Sequence, residues 1–65
     1  MKNNIREVRK QLKLSQDELA KYCGVSRQTV NAIENAKYDP TLHLAFKLAS
    51  VLQVTVNELF IFEEN

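Results

Sequence analysis

The segment Ser15–Lys37, SQDELAKYCGVSRQTVNAIENAK, holds two helix start signals with the chain's one glycine between them. That arrangement leaves little choice of local structure. Ser15 with Glu18 three residues on can satisfy two free backbone N–H groups reciprocally, which opens a helix. Leu19, Ala20 and Cys23 then follow at the spacing of one buried helical face. Gly24 stands where that helix must stop, because glycine alone turns left-handed without a steric cost. Val25 fills the elbow, and Ser26 caps a second helix whose Val30 and Ile33 point inward. Arg27, Gln28, Thr29, Asn31 and Ala32 are left on the outer face. They are polar or small, and several can hydrogen-bond base edges in a DNA major groove. The pattern reads as a helix-turn-helix.

The flanking residues extend the helical reading. Ile5, Val8 and Leu12 recur at helical spacing and predict a first helix from about residue 3 to 12, with a basic exposed side; Leu14 plugs the core behind it. The residue before a proline is pushed out of helical geometry, so Lys37-Tyr38-Asp39-Pro40 is a loop. Thr41 caps a fourth helix with Leu44, Ala45, Leu48, Ala49 and Leu52 on one face and Phe46 off its centre. Thr55 and Glu58 form a second capping box for a short fifth helix carrying Val56, Leu59 and Phe60. No strand is needed, although Leu59-Phe60-Ile61-Phe62 can be extended at its end. The expectation is an all-α fold, five short helices around one core, in a single domain over residues 1–65 with a short acidic tail at 62–65.

A chain of 65 residues sits near the lower limit for folding without staples, and its one cysteine cannot form an internal disulfide. Cys23 therefore reads as a small buried hydrophobe. No apolar run approaches the roughly 20 residues that span a bilayer. The N-terminus lacks a signal-peptide core, which makes a cytoplasmic protein the default. The net charge of +1 divides unevenly: residues 1–37 carry eight Lys or Arg against four acids, whereas residues 38–65 carry only Lys47 against Asp39, Glu58, Glu63 and Glu64. A basic front and an acidic back orient the molecule toward a phosphate backbone. His43 reads as solvated, and one histidine with one unsupported cysteine offers no metal cluster. No cofactor is expected.

Taken in order, LSQDELA, GVSRQTVNAIENAK, a proline, LAFKLA and NELF resemble the phage-repressor/Cro-like (XRE-type) helix-turn-helix family of bacterial and phage regulators, over residues 5 to 61. The resemblance implies a compact five-helix, lambda-repressor-like DNA-binding domain with its third helix in the major groove. It further implies base contacts from Arg27, Gln28, Asn31 and Ala32. Gln28 is suited to adenine, and Arg27 to guanine or a phosphate. Phosphate contacts are implied for Gln16 at a helix N-terminus and for Thr29, Asn35 and Lys37 around the recognition helix; Ser26 acts first as a cap and second as a phosphate donor. Arg9 and Glu34 match a structural ion pair. Ala36 stands where the family often has glycine, so the helix is expected to run on, helical or 3₁₀, for a residue more. The chain ends almost where the domain does, so any effector is expected to act on the domain's own surface.

The leading expectation is a sequence-specific transcriptional regulator, a repressor, acting on double-stranded DNA as a homodimer on a palindromic site. Phe60, Ile61 and Phe62 in succession cannot all face one small core, and this segment is the expected dimer surface. The alternative is an interaction module of the same fold, antitoxin-like or an anti-repressor partner, docking through its C-terminal segment. No acid/base pair, activated nucleophile or phosphate-cradling glycine loop points to an enzyme.

Overall fold

Each helix begins where a short side chain can meet its first free N–H groups. In the computed structural model, which describes residues 1–62, the elements run β1 (Lys2–Asn3), α1 (Ile5–Gln11), α2 (Gln16–Cys23), α3 (Arg27–Glu34), α4 (Leu42–Leu52), α5 (Val56–Leu59) and β2 (Phe60–Ile61). Ser15 and Glu18 form the capping box of α2, and Thr55 and Glu58 that of α5. Ser26 Oγ accepts from Thr29 N–H at α3, and Thr41 Oγ1 from Leu44 N–H at α4. Glu63 and Glu64 of the expected acidic tail lie outside the described residues.

The inward faces meet in one core. Ile5, Leu19, Val30, Ile33, Leu48, Leu52 and Leu59 are fully buried, each contributing about 1.5–3 kcal/mol of transfer free energy. Cys23 is buried among them, and burial pushes its thiol above the ordinary value against the pull of Lys47. It is a packing group. Lys47 Nζ lies 3.5 Å from the Cys23 carbonyl at the C-terminal end of α2, where the helix dipole favours a cation.

The N-terminus departs from the expected helix. Residues 2 and 3 form a strand, pairing antiparallel with β2 through Lys2↔Ile61 and Asn3↔Phe60. The two asparagines explain the change. Asn3 Nδ2 donates to the Ile33 carbonyl at 2.8 Å while Asn3 Oδ1 accepts from Ile5 N–H; Asn4 N–H and Nδ2 donate to the Leu59 and Glu58 carbonyls. The first helix therefore starts only at Ile5, once the chain has tied down the ends of α3 and α5.

Among the described residues, four turns after helices use the left-handed backbone region, at Lys13, Gly24, Ala36 and Gln53. Ala36 corrects the expectation of a longer α3. It adopts φ 57°, and Ala36 N–H and Lys37 N–H donate back to the Ile33 and Ala32 carbonyls at 3.0 and 2.9 Å. This closure is the one glycine normally provides, and an L-residue there costs about 1–2 kcal/mol. Ala36→Gly is expected to stabilise the domain by about 0.5–1 kcal/mol, strain relief outweighing the extra unfolded-state entropy of glycine. The check is the urea midpoint, which should rise; a lower midpoint would contradict the strain.

Candidate nucleic-acid interface

Val30 and Ile33 anchor α3 inward, and Arg27, Gln28 and Asn31 consequently face solvent, where they line one shallow concavity. The Gln28 side chain makes no hydrogen bond within the described residues, so its amide can both donate and accept toward a base edge. Arg27 reaches Asp17 of α2 at 3.7 Å, with both side chains mostly exposed. A pair so open to water is worth little and releases its guanidinium easily. Ala32 is half-buried at the edge of this face.

The hydroxyls and cations around α3 form a second ring. Ser26 Oγ and Thr29 Oγ1 lie 3.0 Å apart. One hydroxyl hydrogen lies between them, leaving the other free to donate outward. Lys37 is exposed just beyond α3. Gln16, at the start of α2, is half-buried, and its Nε2 donates to Glu34 Oε1 at 3.2 Å. One hydrogen of that amide is therefore committed inward, and the second remains for an anion.

Glu34 is the hub beneath the interface. Its side chain is fully buried and receives Arg9 Nε at 2.7 Å and Arg9 Nη2 at 3.2 Å, while Arg9 Nη1 donates to the Leu14 carbonyl. Arg6 Nε adds a longer contact at 3.4 Å. Burial alone would raise the Glu34 carboxyl; hydrogen bonds from Arg9 and Gln16, with the charges of Arg9 and Arg6, outweigh it and hold the group below its ordinary range. The Arg9–Glu34 pair is the one the family resemblance implies. Arg6 and Gln16 were not assigned to it, because nothing in local spacing joins α1 or α2 to the end of α3.

The C-terminal aromatics separate. Phe60 is 8% exposed and belongs to the core, which removes it from the expected dimer surface; Ile61 is 41% and Phe62 77% exposed. Strand geometry sends successive side chains to opposite faces, so Phe60 turns inward and Ile61 outward. Ile61 and Phe62 share a concavity with Met1, Lys2, Ala36 and Asp39. Among the described residues no helix is long and apolar enough to cross a membrane.

Comparison with known proteins agrees with this geometry. A helix-turn-helix family model matches residues 5–59. An uncharacterized HTH-type transcriptional regulator of Methanocaldococcus jannaschii is 49% identical over 65 residues, spanning 100% of this chain and 98% of its own. Among solved structures, the restriction-modification controller protein C.AhdI of Aeromonas hydrophila superposes with a TM-score of 0.80 at 36% identity, covering 86% of this chain and 85% of that one. The biofilm master regulator SinR of Bacillus subtilis, solved in complex with DNA, gives 0.72 at 34% identity over 80% of this chain and 84% of its own.

Proposed function

This chain belongs to the Cro/C1 (XRE-type) helix-turn-helix family of DNA-binding transcriptional regulators, and from that premise we propose that it is a cytoplasmic repressor binding a palindromic operator as a homodimer, with α3 in the major groove. The observation that carries the reading is the outer face of α3, where exposed Arg27, Gln28 and Asn31 lie opposite buried Val30 and Ile33. Base readout falls to Arg27, Gln28 and Asn31, with Ala32 offering an apolar contact at their edge. Phosphates are held by Gln16, Ser26, Thr29 and Lys37, and by Asn35 once it gives up one of its bonds to Asn31. Such contacts position the protein without carrying sequence information. SinR, an HTH relative in fold and sequence, was solved on DNA, which supports the same docking here.

Lys37 gives the electrostatic test. Lys37→Ala is expected to weaken binding to all duplexes alike and to reduce the slope of log K against log salt by about one. Titrations at several salt concentrations check it; an unchanged slope would remove Lys37 from the phosphate contacts.

One α3 reads about half of a useful operator, and two-fold pairing places two such helices about 34 Å apart, one DNA turn. Ile61 and Phe62 supply exposed apolar surface for a second copy. Phe62→Glu is expected to shift the protein to monomer in sedimentation and to lower affinity for a palindrome at least about tenfold, leaving half-site binding intact. A dimer that survives the change would place the interface elsewhere. A dimer unaffected on DNA but defective with another protein would favour the interaction module.

A further inference from the structure

We infer that Asn35, held between Arg6 of α1 and the Asn31 carbonyl, biases which bases Asn31 reads by fixing the orientation of the Asn31 amide. The inference rests on the reading of Asn31 as a base-contacting residue.

The argument is one of donors and acceptors. A guanidinium offers N–H groups and no acceptor, so whatever lies against it must present an oxygen. Arg6 Nη2 is 2.9 Å from Asn35 Oδ1, while Arg6 Nε faces Glu34 at 3.4 Å. The Asn35 oxygen is thereby assigned to Arg6, and its NH2 group must lie on the other side. There Asn35 Nδ2 is 2.9 Å from the Asn31 carbonyl and 3.3 Å from Asn31 Oδ1. An amide NH2 accepts nothing, so Asn31 meets it with oxygen. Turning either amide over would set NH2 against NH2 or NH2 against guanidinium. The donor-only arginine and the acceptor-only Asn31 carbonyl hold Asn35 in the same sense, and that polarity passes from Asn35 to the base-reading face.

What remains for DNA is Asn31 Nδ2, which has no hydrogen-bond partner among the described residues. Guanine presents two acceptors in the major groove, N7 and O6, and thymine presents O4. Adenine offers that NH2 only N7, because its usual bidentate reading also needs the amide oxygen to accept from N6, and that oxygen is turned to Asn35. Cytosine offers only the N4 donor. Asn31 is accordingly a reader of guanine, which sets two acceptors before its NH2, whereas adenine and thymine each set one. Gln28, with no such restraint, keeps the adenine mode open.

The test uses the base position whose preference Asn31→Ala abolishes, with duplexes carrying each of the four bases there. The intact protein is expected to favour guanine over adenine roughly 3- to 10-fold, the range of one hydrogen bond. Arg6→Met keeps the Arg9–Glu34 pair and should fold, verified by circular dichroism; it removes one of the two restraints on Asn35 and is expected to narrow the preference for guanine over adenine. Asn35→Asp gives a second arm, since the new carboxylate accepts from the Asn31 NH2 and turns its oxygen outward. Preference should then swing toward adenine or cytosine, whatever the loss in overall affinity. In the DNA-free protein, the Asn35 side-chain NH2 resonances should shift on Arg6→Met. Adenine preferred by the intact protein, or an unaltered guanine preference in both Arg6→Met and Asn35→Asp, would overturn the inference. A failure of Asn31→Ala to change preference at any position would instead overturn the base-reading role beneath it, and the inference with it.

Discussion

Glu34→Ala is expected to remove about 3–5 kcal/mol of folding stability, the cost of leaving buried charge without its partner. Arg9 is itself 9% exposed, and the substitution strands its guanidinium together with the Gln16 amide. A domain this small has little more than about 3–5 kcal/mol to lose, so the variant should be largely unfolded at 25 °C. Replacing both partners, Arg9→Met with Glu34→Leu, should recover much of the loss because no charge is then left buried. Urea unfolding followed by circular dichroism checks both; a single-variant loss under about 1 kcal/mol would mean the pair is effectively solvated.

Acid should reproduce part of this effect. The folded Glu34 carboxyl lies below its ordinary value of 4.5, the opposing hydrogen bonds and charges having overcome burial. Its contribution is therefore complete above pH 4.5 and is lost as pH falls through the lowered folded value. Glu18 and Glu58, held low mainly by the Ser15 and Thr55 backbone N–H groups, titrate with the same sign. The Arg9→Met, Glu34→Leu double variant should show a flatter decline in stability below that pH than the parent.

Gln28→Ala should carry the other large effect, on sequence preference. One bidentate amide contact discriminates its base by about 1–3 kcal/mol, or roughly 5- to 150-fold. The side chain is exposed and makes no hydrogen bond within the described residues, so its removal should leave the fold untouched. The loss should concentrate at one base pair in each half-site. Lys37→Ala should instead spare every base preference. An even weakening across all sequences in Gln28→Ala would assign Gln28 to the phosphates.

Legibility in the residues followed the range of the interaction. Ser15 with Glu18, Ser26 with Thr29, and Thr55 with Glu58 act within one helical turn, and the residues alone announce them. Buried Leu44, Ala45, Leu48, Ala49 and Leu52 likewise follow from periodicity. The strand at Lys2 and Asn3 escaped because Lys2 pairs with Ile61 across almost the whole chain, and two residues carry no alternation; the extended end after Leu59 was legible, but Phe60 lies in that strand and not in α5. Ala36 misled for a related reason. Its own preference is helical, but the path of Lys37 into the loop and the bond from Lys37 N–H to Ala32 override it. Phe60, Ile61 and Phe62 form an unbroken apolar run, so only the strand pairing could assign Phe60 to the core. At the interface, the outward face of α3 was readable from Val30 and Ile33. The ties of Gln16 to Glu34 and of Arg6 to Asn35 were not, since both join separate helices.

The measurement that bears most directly on the central claim is selection of random duplex DNA by the purified protein at near-physiological salt, beside Gln28→Ala. Enrichment of a palindrome with half-sites about one helical turn apart, altered at one position per half-site in the variant, is the expected result. Failure of the folded protein to enrich any sequence, or enrichment identical in the two proteins, would contradict the assignment of α3 as the reading helix.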